Sequence, residues 1–329
     1  NPVWNNHVEL GKWADLFIIA PATSLTISAM VNAKCNNLLI ATYLSCTSKV
    51  YIAPAMDLDM YNHSSNQSNL EKLKSIGNEV LPVGEGFLAS GLQGKGRMLE
   101  PEQIIKKIEQ DILDELPLNG KKVLITAGPT YEPIDPVRFI ANHSTGKMGF
   151  ALAEHAVKLG AEVTLITGPT AISTTSDMQI FNVVTSEEMF IQVKKIFNKM
   201  DIAIAAAAVA DFKPKETHKI KLKKEINLNT IKLVPTQDIL AWMGENKNQQ
   251  FLLGFALETN DEIKNAIKKL KTKNLDAIVM NSLKNSGAGF SGDTNKVSYI
   301  SRKEEIIQFE LKLKNKVAED IFTQILKNE

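Results

Sequence analysis

Short apolar runs that stop at proline or glycine recur along this chain, with helical stretches between them. Ala14-Asp15-Leu16-Phe17-Ile18-Ile19-Ala20 ends at Pro21, and Lys49-Val50-Tyr51-Ile52-Ala53 ends at Pro54. Runs that are apolar throughout, rather than at every second residue, suit strands covered on both faces, which is the environment of a parallel sheet. A helical stretch at about 24–45 separates the two runs. Another, Asn66 to Ile76, precedes Glu79-Val80-Leu81-Pro82, giving the order β-α-β-α-β.

The pattern then stops and restarts. Residues 100–118 carry Ile104, Ile105, Ile108, Ile112 and Leu113 at helical spacing, followed by Leu116-Pro117-Leu118-Asn119-Gly120. Proline and glycine after a helix mark a boundary, so a first domain is expected over 1–118 and a second over 119–329. In the second, strands are expected at Lys122–Ala127, Glu162–Thr167, Ile202–Ala207, Phe251–Phe255 and Ala277–Met280. Met148, Ala151, Leu152, Ala156 and Leu159 form a helix closed by Gly160. Val297–Ser301 and Ile306–Leu313 alternate like an antiparallel edge hairpin. The expected class is α/β, with two doubly wound Rossmann-like three-layer domains, and ligands at the carboxyl ends of the strands.

Charge and cysteine content exclude several classes. Lys+Arg is 38 against Asp+Glu 37, so the basic excess usual for nucleic-acid binding is missing. Cys35 and Cys46 have no neighbours at metal spacing, which argues against a zinc site and a disulfide framework. No apolar run approaches the ~18 residues of a membrane helix, and no signal-peptide pattern is present, so the expected location is the cytoplasm. The sequence opens at Asn1-Pro2-Val3-Trp4 without methionine and reads like the middle of a domain. An upstream piece is expected to precede it.

The strongest chemical signal is the loop from Gly128 to Thr145. It is eighteen residues long, against ~2–6 for an ordinary βα loop. It ends in Ser144-Thr145-Gly146-Lys147-Met148-Gly149 at a helix start. There, glycines admit a ligand to the backbone, free N–H groups attract phosphate and Lys147 adds charge. The spacing is not that of a Walker A motif. A nicotinamide-type dinucleotide site is disfavoured too, because the second strand ends Ile166-Thr167-Gly168 where a ribose-binding acid belongs. Against the phosphate reading stands the plainer one, that the glycines serve tight helix–sheet packing.

Two further clusters follow. Ala205-Ala206-Ala207-Ala208-Val209-Ala210-Asp211 brings small side chains and one carboxylate to a strand end. Lys213, Lys215, Lys219, Lys221, Lys223 and Lys224 come next, opposed only by Glu216. They read either as a solvated loop or as an arm that closes over a triphosphate. After Gly254-Phe255-Ala256-Leu257-Glu258-Thr259, Lys269 and Lys273 flank the apolar stripe of an amphipathic helix, where ordinary surface lysines also occur.

The stretch Lys122 to Gly149 (K-V-L-I-T-A-G-P-T-Y-E-P-I-D-P-V-R-F-I-A-N-H-S-T-G-K-M-G), with A-A-A-V-A-D-F at 206–212, K-L-K-K at 221–224, G-F-A-L-E-T-N at 254–260 and K-N-L-D at 273–276, resembles the phosphopantothenate–cysteine ligase family. The resemblance covers about 120–329. It implies coenzyme A biosynthesis, with CTP and Mg²⁺ activating 4'-phosphopantothenate as an acyl-cytidylate that cysteine then attacks. It implies Asn142 at the acyl intermediate and Arg138 at a phosphate or carboxylate. Asp211, Phe255, Lys269 and Lys273, with Gly128, Gly146 and Lys147, should form the nucleotide and phosphate site. Lys221 should be the mobile lysine, with Lys219 as its fallback. Where the family often has K-N-P-D-I, this chain has Pro235-Thr236-Gln237-Asp238-Ile239.

Residues 7–101 resemble the later part of a flavin-dependent phosphopantothenoylcysteine decarboxylase, through His7-Val8-Glu9-Leu10, Trp13-Ala14-Asp15, Ala20-Pro21-Ala22-Thr23, Ala53-Pro54-Ala55-Met56 and Gly94-Lys95-Gly96-Arg97-Met98. That resemblance implies FMN near Ala22, Thr23 and Met56, His7 in the catalytic histidine's place, and homo-oligomers: decarboxylase trimers and ligase dimers. Two positions depart from the family pattern. Asp57 replaces an asparagine, and an ionised aspartate repels a substrate carboxylate. Ser90 replaces a cysteine expected to protonate an enethiol. The first half therefore reads as an active decarboxylase with altered chemistry, a flavin-binding relic, or a scaffold without catalysis.

Overall fold

The computed structural model describes residues 6–88, 90–223, 230–258, 261–282 and 292–327. Ala89, Lys224, Thr259 and Asn260, which belong to the motifs above, lie outside the described residues. The chain forms two compact units, Asn1–Ile112 and Leu113–Glu329. The division falls inside a helix rather than at 118, and Leu118 belongs to the second unit's core.

In the first unit the elements run α1 (His7–Trp13), β1 (Leu16–Ala22), α2 (Ser24–Val31), α3 (Leu38–Ser45), β2 (Lys49–Pro54), α4 (Leu58–Asn62), α5 (Ser64–Ser75), β3 (Glu79–Val80), β4 (Gly84–Phe87), β5 (Gln93–Arg97) and α6 (Pro101–Glu115). The strands β1-β2-β3 pair in parallel. Successive residues of β2 point to opposite faces. Val50 and Ile52 join Ile27, Ile40, Leu70 and Leu73 on one face, and Tyr51 and Ala53 join Ile104 and Ile108 on the other. That is three layers. The single helix expected over 24–45 is two. Ala33 turns at φ 50°, and the Asn37 side chain accepts from the Ile40 N–H at 2.9 Å, starting α3 afresh.

The second unit contains β6 (Lys122–Ala127), β7 (Tyr131–Pro133), β8 (Phe139–Ala141), α7 (Lys147–Lys158), β9 (Glu162–Thr167), β10 (Gln179–Asn182), α8 (Ser186–Ile196), β11 (Ile202–Ala205), β12 (Phe212–Pro214), β13 (Leu233–Pro235), α9 (Ile239–Asn246), β14 (Phe251–Glu258), α10 (Glu262–Thr272), β15 (Ala277–Ser282), β16 (Thr294–Asn295), β17 (Val297–Ser301), β18 (Ile306–Gln308), β19 (Lys312–Leu313) and α11 (Lys314–Leu326). The main sheet is ordered β10-β9-β6-β11-β14-β15-β17-β18, parallel through β15 and antiparallel beyond. From β6 the chain builds outward through β9 to β10, then returns to β6's other side with β11. This reversal opens a crevice at the carboxyl ends of β6 and β11.

Both faces are covered. Val123 and Ile125 pack with α7 and α11, while Leu124 packs under α8, α9 and α10. Burying each such Leu or Ile stabilises the fold by about 1.5–3 kcal/mol. Gly149 lets α7 lie close on the sheet, since a Cβ there would come within 2.5 Å of the Ala127 Cβ. The expected 306–313 hairpin is only half formed. Ile306–Gln308 pairs with β17, but Lys312–Leu313 leaves to pair with Thr294–Asn295. No helix among the described residues is long and apolar enough to cross a membrane.

Candidate functional site

A cleft of about 770 Å³ opens at the carboxyl ends of β6, β11, β14 and β15, within the ordinary size range of small-molecule sites. Its floor is the alanine run. Beyond Ala205 the strand ends, and the run is held to the neighbouring strand. The Ala206 N–H donates to the Thr126 carbonyl at 3.1 Å, the Ala207 N–H to Thr126 Oγ1 at 3.3 Å, and the Ala208 N–H to the Gly128 carbonyl at 2.8 Å. With methyl groups only, this floor admits a flat or extended ligand to the backbone.

Of the residues singled out above, Asn142, Gly146, Lys147, Asp211, Phe255, Lys269 and Lys273 line this one cleft. Asn142 Nδ2 donates to the Val209 carbonyl at 2.8 Å, fixing the amide over the floor. Gly146 sits at the start of α7 with φ 80°, a conformation glycine adopts freely. Lys269 Nζ donates to the Phe255 carbonyl at 2.9 Å. Lys273 Nζ lies 2.8 Å from Asp238 Oδ2. Burial works against the charged form of Asp238, but hydrogen bonds from Lys273 and from the Ala241 N–H outweigh it, and its carboxyl titrates below the usual range.

Three expected residues are elsewhere. Gly128 does not line the cleft but shapes it from behind. Its φ is 73°, and its Cα would lie 3.5 Å from a Cβ at Gly146. Arg138 and Lys221 do not line it either. Arg138 Nε donates to Asp135 Oδ2 at 2.9 Å, and its Nη2 reaches both that carboxylate and the Leu222 carbonyl, 2.9 Å away. Asp135 is buried, and the guanidinium holds its carboxyl well below the usual carboxylate range. Lys221 is exposed beside this cluster. A guanidinium so committed positions the long loop, and sequence spacing alone does not reveal the commitment.

At the other end of the cleft the structure adds residues the sequence did not point to. Asn281, Asn295 and Lys314 line it together with Lys147 and Met148. Lys147 Nζ lies 2.6 Å from Asp293, and Lys314 Nζ donates to the Gly292 carbonyl at 2.6 Å. The cleft is therefore cationic at both ends, with Asn142 among the residues lining it. Among the described residues no cluster of histidine, cysteine and carboxylate side chains could hold a metal by itself.

In the first unit, Ala22, Thr23 and Met56 meet at the carboxyl ends of β1 and β2. The Ala55 N–H donates to the Ala22 carbonyl and the Met56 N–H to the Gly96 carbonyl, each at 2.9 Å, and the Thr23 side chain caps α2. His7 is an exposed residue of α1, a helix whose Gly11 packs on the Ser45 carbonyl. Asp57 caps α4, and the β4–β5 hairpin rests on that helix through Gly94 and Leu58. Ser90 is exposed in the turn of that hairpin.

Comparison with known proteins agrees with this division. Residues 118–328 match the family model "DNA/pantothenate metabolism flavoprotein C-terminal domain", and residues 4–113 match "Flavoprotein". A cysteine/cysteine sulfinic acid decarboxylase from an unknown prokaryotic organism is 51% identical, over 98% of this chain and 92% of its own. The coenzyme A biosynthesis bifunctional protein CoaBC of Bacillus subtilis (strain 168) is 47% identical, over 91% of this chain and 74% of its own. Among solved structures, the C-terminal domain of a coenzyme A biosynthesis bifunctional protein CoaBC superposes with a TM-score of 0.56 at 42% identity, covering 65% of this chain and 97% of that one.

Proposed function

We propose a reaction for the cleft on the premise that this chain belongs to the family of bifunctional coenzyme A biosynthesis proteins, a Flavoprotein domain followed by a DNA/pantothenate metabolism flavoprotein C-terminal domain. Membership carries two activities, a ligase and a decarboxylase. The second unit joins 4'-phosphopantothenate to cysteine at the expense of CTP. The observation that carries this assignment is the cleft itself, which gathers lysines at both ends and Asn142 in its lining. One substrate is a triphosphate and the other an acid with a phosphate at its far end. Two separated cationic groups are what such a pair requires.

The carboxylate of the acid attacks the α-phosphorus of CTP, the bond to the leaving pyrophosphate breaks, and an acyl-cytidylate forms. The amine of cysteine then attacks the acyl carbon, and CMP leaves with the bonding pair. Lys269 and Lys273 neutralise triphosphate charge. Asn142 holds the mixed anhydride over the alanine floor, away from water, so that the amine meets it in a fixed orientation. Arg138 and Lys221 act as parts of the loop assembly that borders the cleft. Mg²⁺ fits here as an ion carried in on the triphosphate: Asp211 offers one exposed carboxylate, and a magnesium ion in such sites keeps waters and substrate oxygens as its other ligands.

In the first unit, the small, partly exposed Ala55 with the capped start of α2 fits a flat flavin ring, Ala22 being buried in the core behind it, and FMN would supply a two-electron acceptor there. Thr23 and Met56 would hold it. A second reading of this unit's substrate is favoured by Asp57 and by the 51% identical cysteine/cysteine sulfinic acid decarboxylase. Asp57 Oδ1 accepts from the Leu58 N–H at 2.9 Å, a capping duty that asparagine performs equally well. The extra charge gains something only toward a cation, and the free amine of a small amino acid is one. Carbon dioxide release from cysteine, cysteine sulfinic acid and phosphopantothenoylcysteine, measured side by side, separates the two substrates. The whole chain acts as a homo-oligomer in the cytoplasm on this reading.

Pyrophosphate release tests the ligase assignment. It should require 4'-phosphopantothenate and a nucleotide together, and amide should appear only when cysteine is added. Release without the acid would sink the assignment.

A further inference from the structure

We infer that Thr130 is a positioning residue for amide formation: its buried hydroxyl fixes the Val209–Ala210 peptide, and that peptide decides which end of the Asn142 carboxamide faces the substrate. The inference rests on the ligase reading and adds to it a residue that never touches the ligand.

Thr130 is fully buried and does not line the cleft. Its backbone is braced from both sides. Before it, Pro129 bridges to Ala208, and the Ala208 N–H donates to the Gly128 carbonyl at 2.8 Å. After it, the Tyr131 N–H donates to the Val184 carbonyl at 2.7 Å, and the buried Glu132 accepts from the Ser186 N–H at 2.8 Å. A β-branched side chain is stiff about its first torsion. The hydroxyl is therefore a fixed post behind the alanine floor.

That post accepts from the Ala210 N–H at 3.0 Å. Ala210 is 2% exposed, so its N–H is shielded from water and depends on this partner. The carbonyl of the same planar, trans peptide belongs to Val209 and points the opposite way. It accepts from Asn142 Nδ2 at 2.8 Å. One peptide thus joins Thr130 on its hidden side to Asn142 on its open side. The next two carbonyls are held independently. Thr236 Oγ1 donates to the Ala210 carbonyl at 2.6 Å, and the Thr236 N–H donates to the Asp211 carbonyl at 2.9 Å.

A carboxamide has a donor end and an acceptor end. The Val209 carbonyl takes the donor end of Asn142, so the acceptor end, Oδ1, is the one turned from the floor. An attacking amine carries N–H groups, and an acceptor held in place orients it. Without the Thr130 hydroxyl the buried Ala210 N–H loses its partner, and an unmet buried donor drives the peptide to turn. Asn142 then meets an N–H in place of a carbonyl, and its two ends exchange. Asp211 keeps its backbone anchor through Thr236, so the nucleotide side of the cleft keeps its shape.

The test follows the two half-reactions separately. Thr130→Val keeps the shape of the side chain and removes the hydroxyl, while Thr130→Ser keeps the hydroxyl. Thr130→Val should form amide at least about tenfold more slowly, with single-turnover pyrophosphate release slowed less than about threefold. Thr130→Ser should stay within about threefold of the wild type in both. In an Asn142→Ala background, Thr130→Val should slow amide formation no further, because the two residues act through one peptide. A readout without turnover is the NMR signal of the Asn142 side-chain amide, identified by its loss in Asn142→Ala. It should move in Thr130→Val and hold its place in Thr130→Ser. Equal losses in both half-reactions, additive losses in the double variant, or an unmoved Asn142 signal overturn the role assigned to Thr130. If the wild type releases no pyrophosphate with any nucleotide, the ligase reading fails, and the NMR comparison still decides whether Thr130 sets Asn142. Should Thr130→Val fail to fold, Thr130→Ala makes the same comparison.

Discussion

Lys273, at the end of α10, reaches 2.8 Å to Asp238, the residue that caps α9. One carboxylate thus serves two elements at the mouth of the cleft. Its Oδ1 accepts from the Ala241 N–H at 2.9 Å and also lies 3.0 Å from Lys273 Nζ. Losing a capping aspartate costs about 0.5–2 kcal/mol. Asp238→Ala should therefore lower stability by about 1 kcal/mol at pH 7. The folded carboxyl titrates below its unfolded value. Its contribution is complete above about pH 4 and is lost as pH falls through the folded pKa. Urea midpoints of the variant and wild type should differ at pH 7 and converge in acid.

Asn142→Asp separates the two chemical steps. The amide donates to the Val209 carbonyl, whereas an ionised carboxylate cannot donate, and it meets the anionic acyl-nucleotide with like charge. The variant should still release pyrophosphate but form amide at least tenfold more slowly. Amide formation at the wild-type rate by this variant removes Asn142 from the role assigned here.

Gly168 faces the other end of the same loop. A Cβ there would fall 1.6 Å from the Pro129 carbonyl oxygen, which is backbone and cannot rotate aside. Gly168→Ala should cost about 1–3 kcal/mol or more, as overpacking does. Its urea midpoint should fall with the slope unchanged, and equal midpoints would contradict the close packing of these two segments.

The guanidinium of Arg138 binds Asp135 and the Leu222 carbonyl, and the Leu222 N–H donates to Asp135 Oδ2 at 3.2 Å. Arg138→Ala leaves a buried carboxylate without its cation. Amides of Val137, residue 138 and Leu222, which all donate to Asp135 in the wild type, should exchange with deuterium faster. The depressed pKa of Asp135 makes this cluster's contribution complete above about pH 4, to be lost only as pH falls through its much lower folded pKa. Exchange rates equal to the wild type at pH 7 would show that the cluster does not organise the loop.

The parts of the fold that sequence made legible are those where local pattern and burial coincide. Lys122–Ala127 and Glu162–Thr167 are strands at the expected residues because both faces of the sheet are covered, which leaves no polar position to blur the run. The Ser-Thr-Gly-Lys-Met-Gly segment likewise sits at a helix start, as glycine and lysine there imply. Where a tertiary partner decides, the pattern was silent. The break after Val31 depends on the Ala33 turn and the Asn37 cap. Lys314 looks like one lysine among many in a lysine-rich tail, and only the packing of α11 beside α7 brings it to the cleft. Asn281 and Asn295 sit at strand ends with no spacing that marks them. The family resemblance places Arg138 at a phosphate or carboxylate; in the structure its guanidinium binds the carboxylate of Asp135.

The central claim is that one cleft binds a nucleoside triphosphate and a phosphorylated carboxylic acid together. Pyrophosphate release, followed with CTP and with ATP in the presence and absence of 4'-phosphopantothenate and cysteine, tests it most directly. The account predicts release that depends on the acid, is faster with CTP, and yields amide only when cysteine is present. Release independent of the acid, or none with either nucleotide from folded protein, would contradict it.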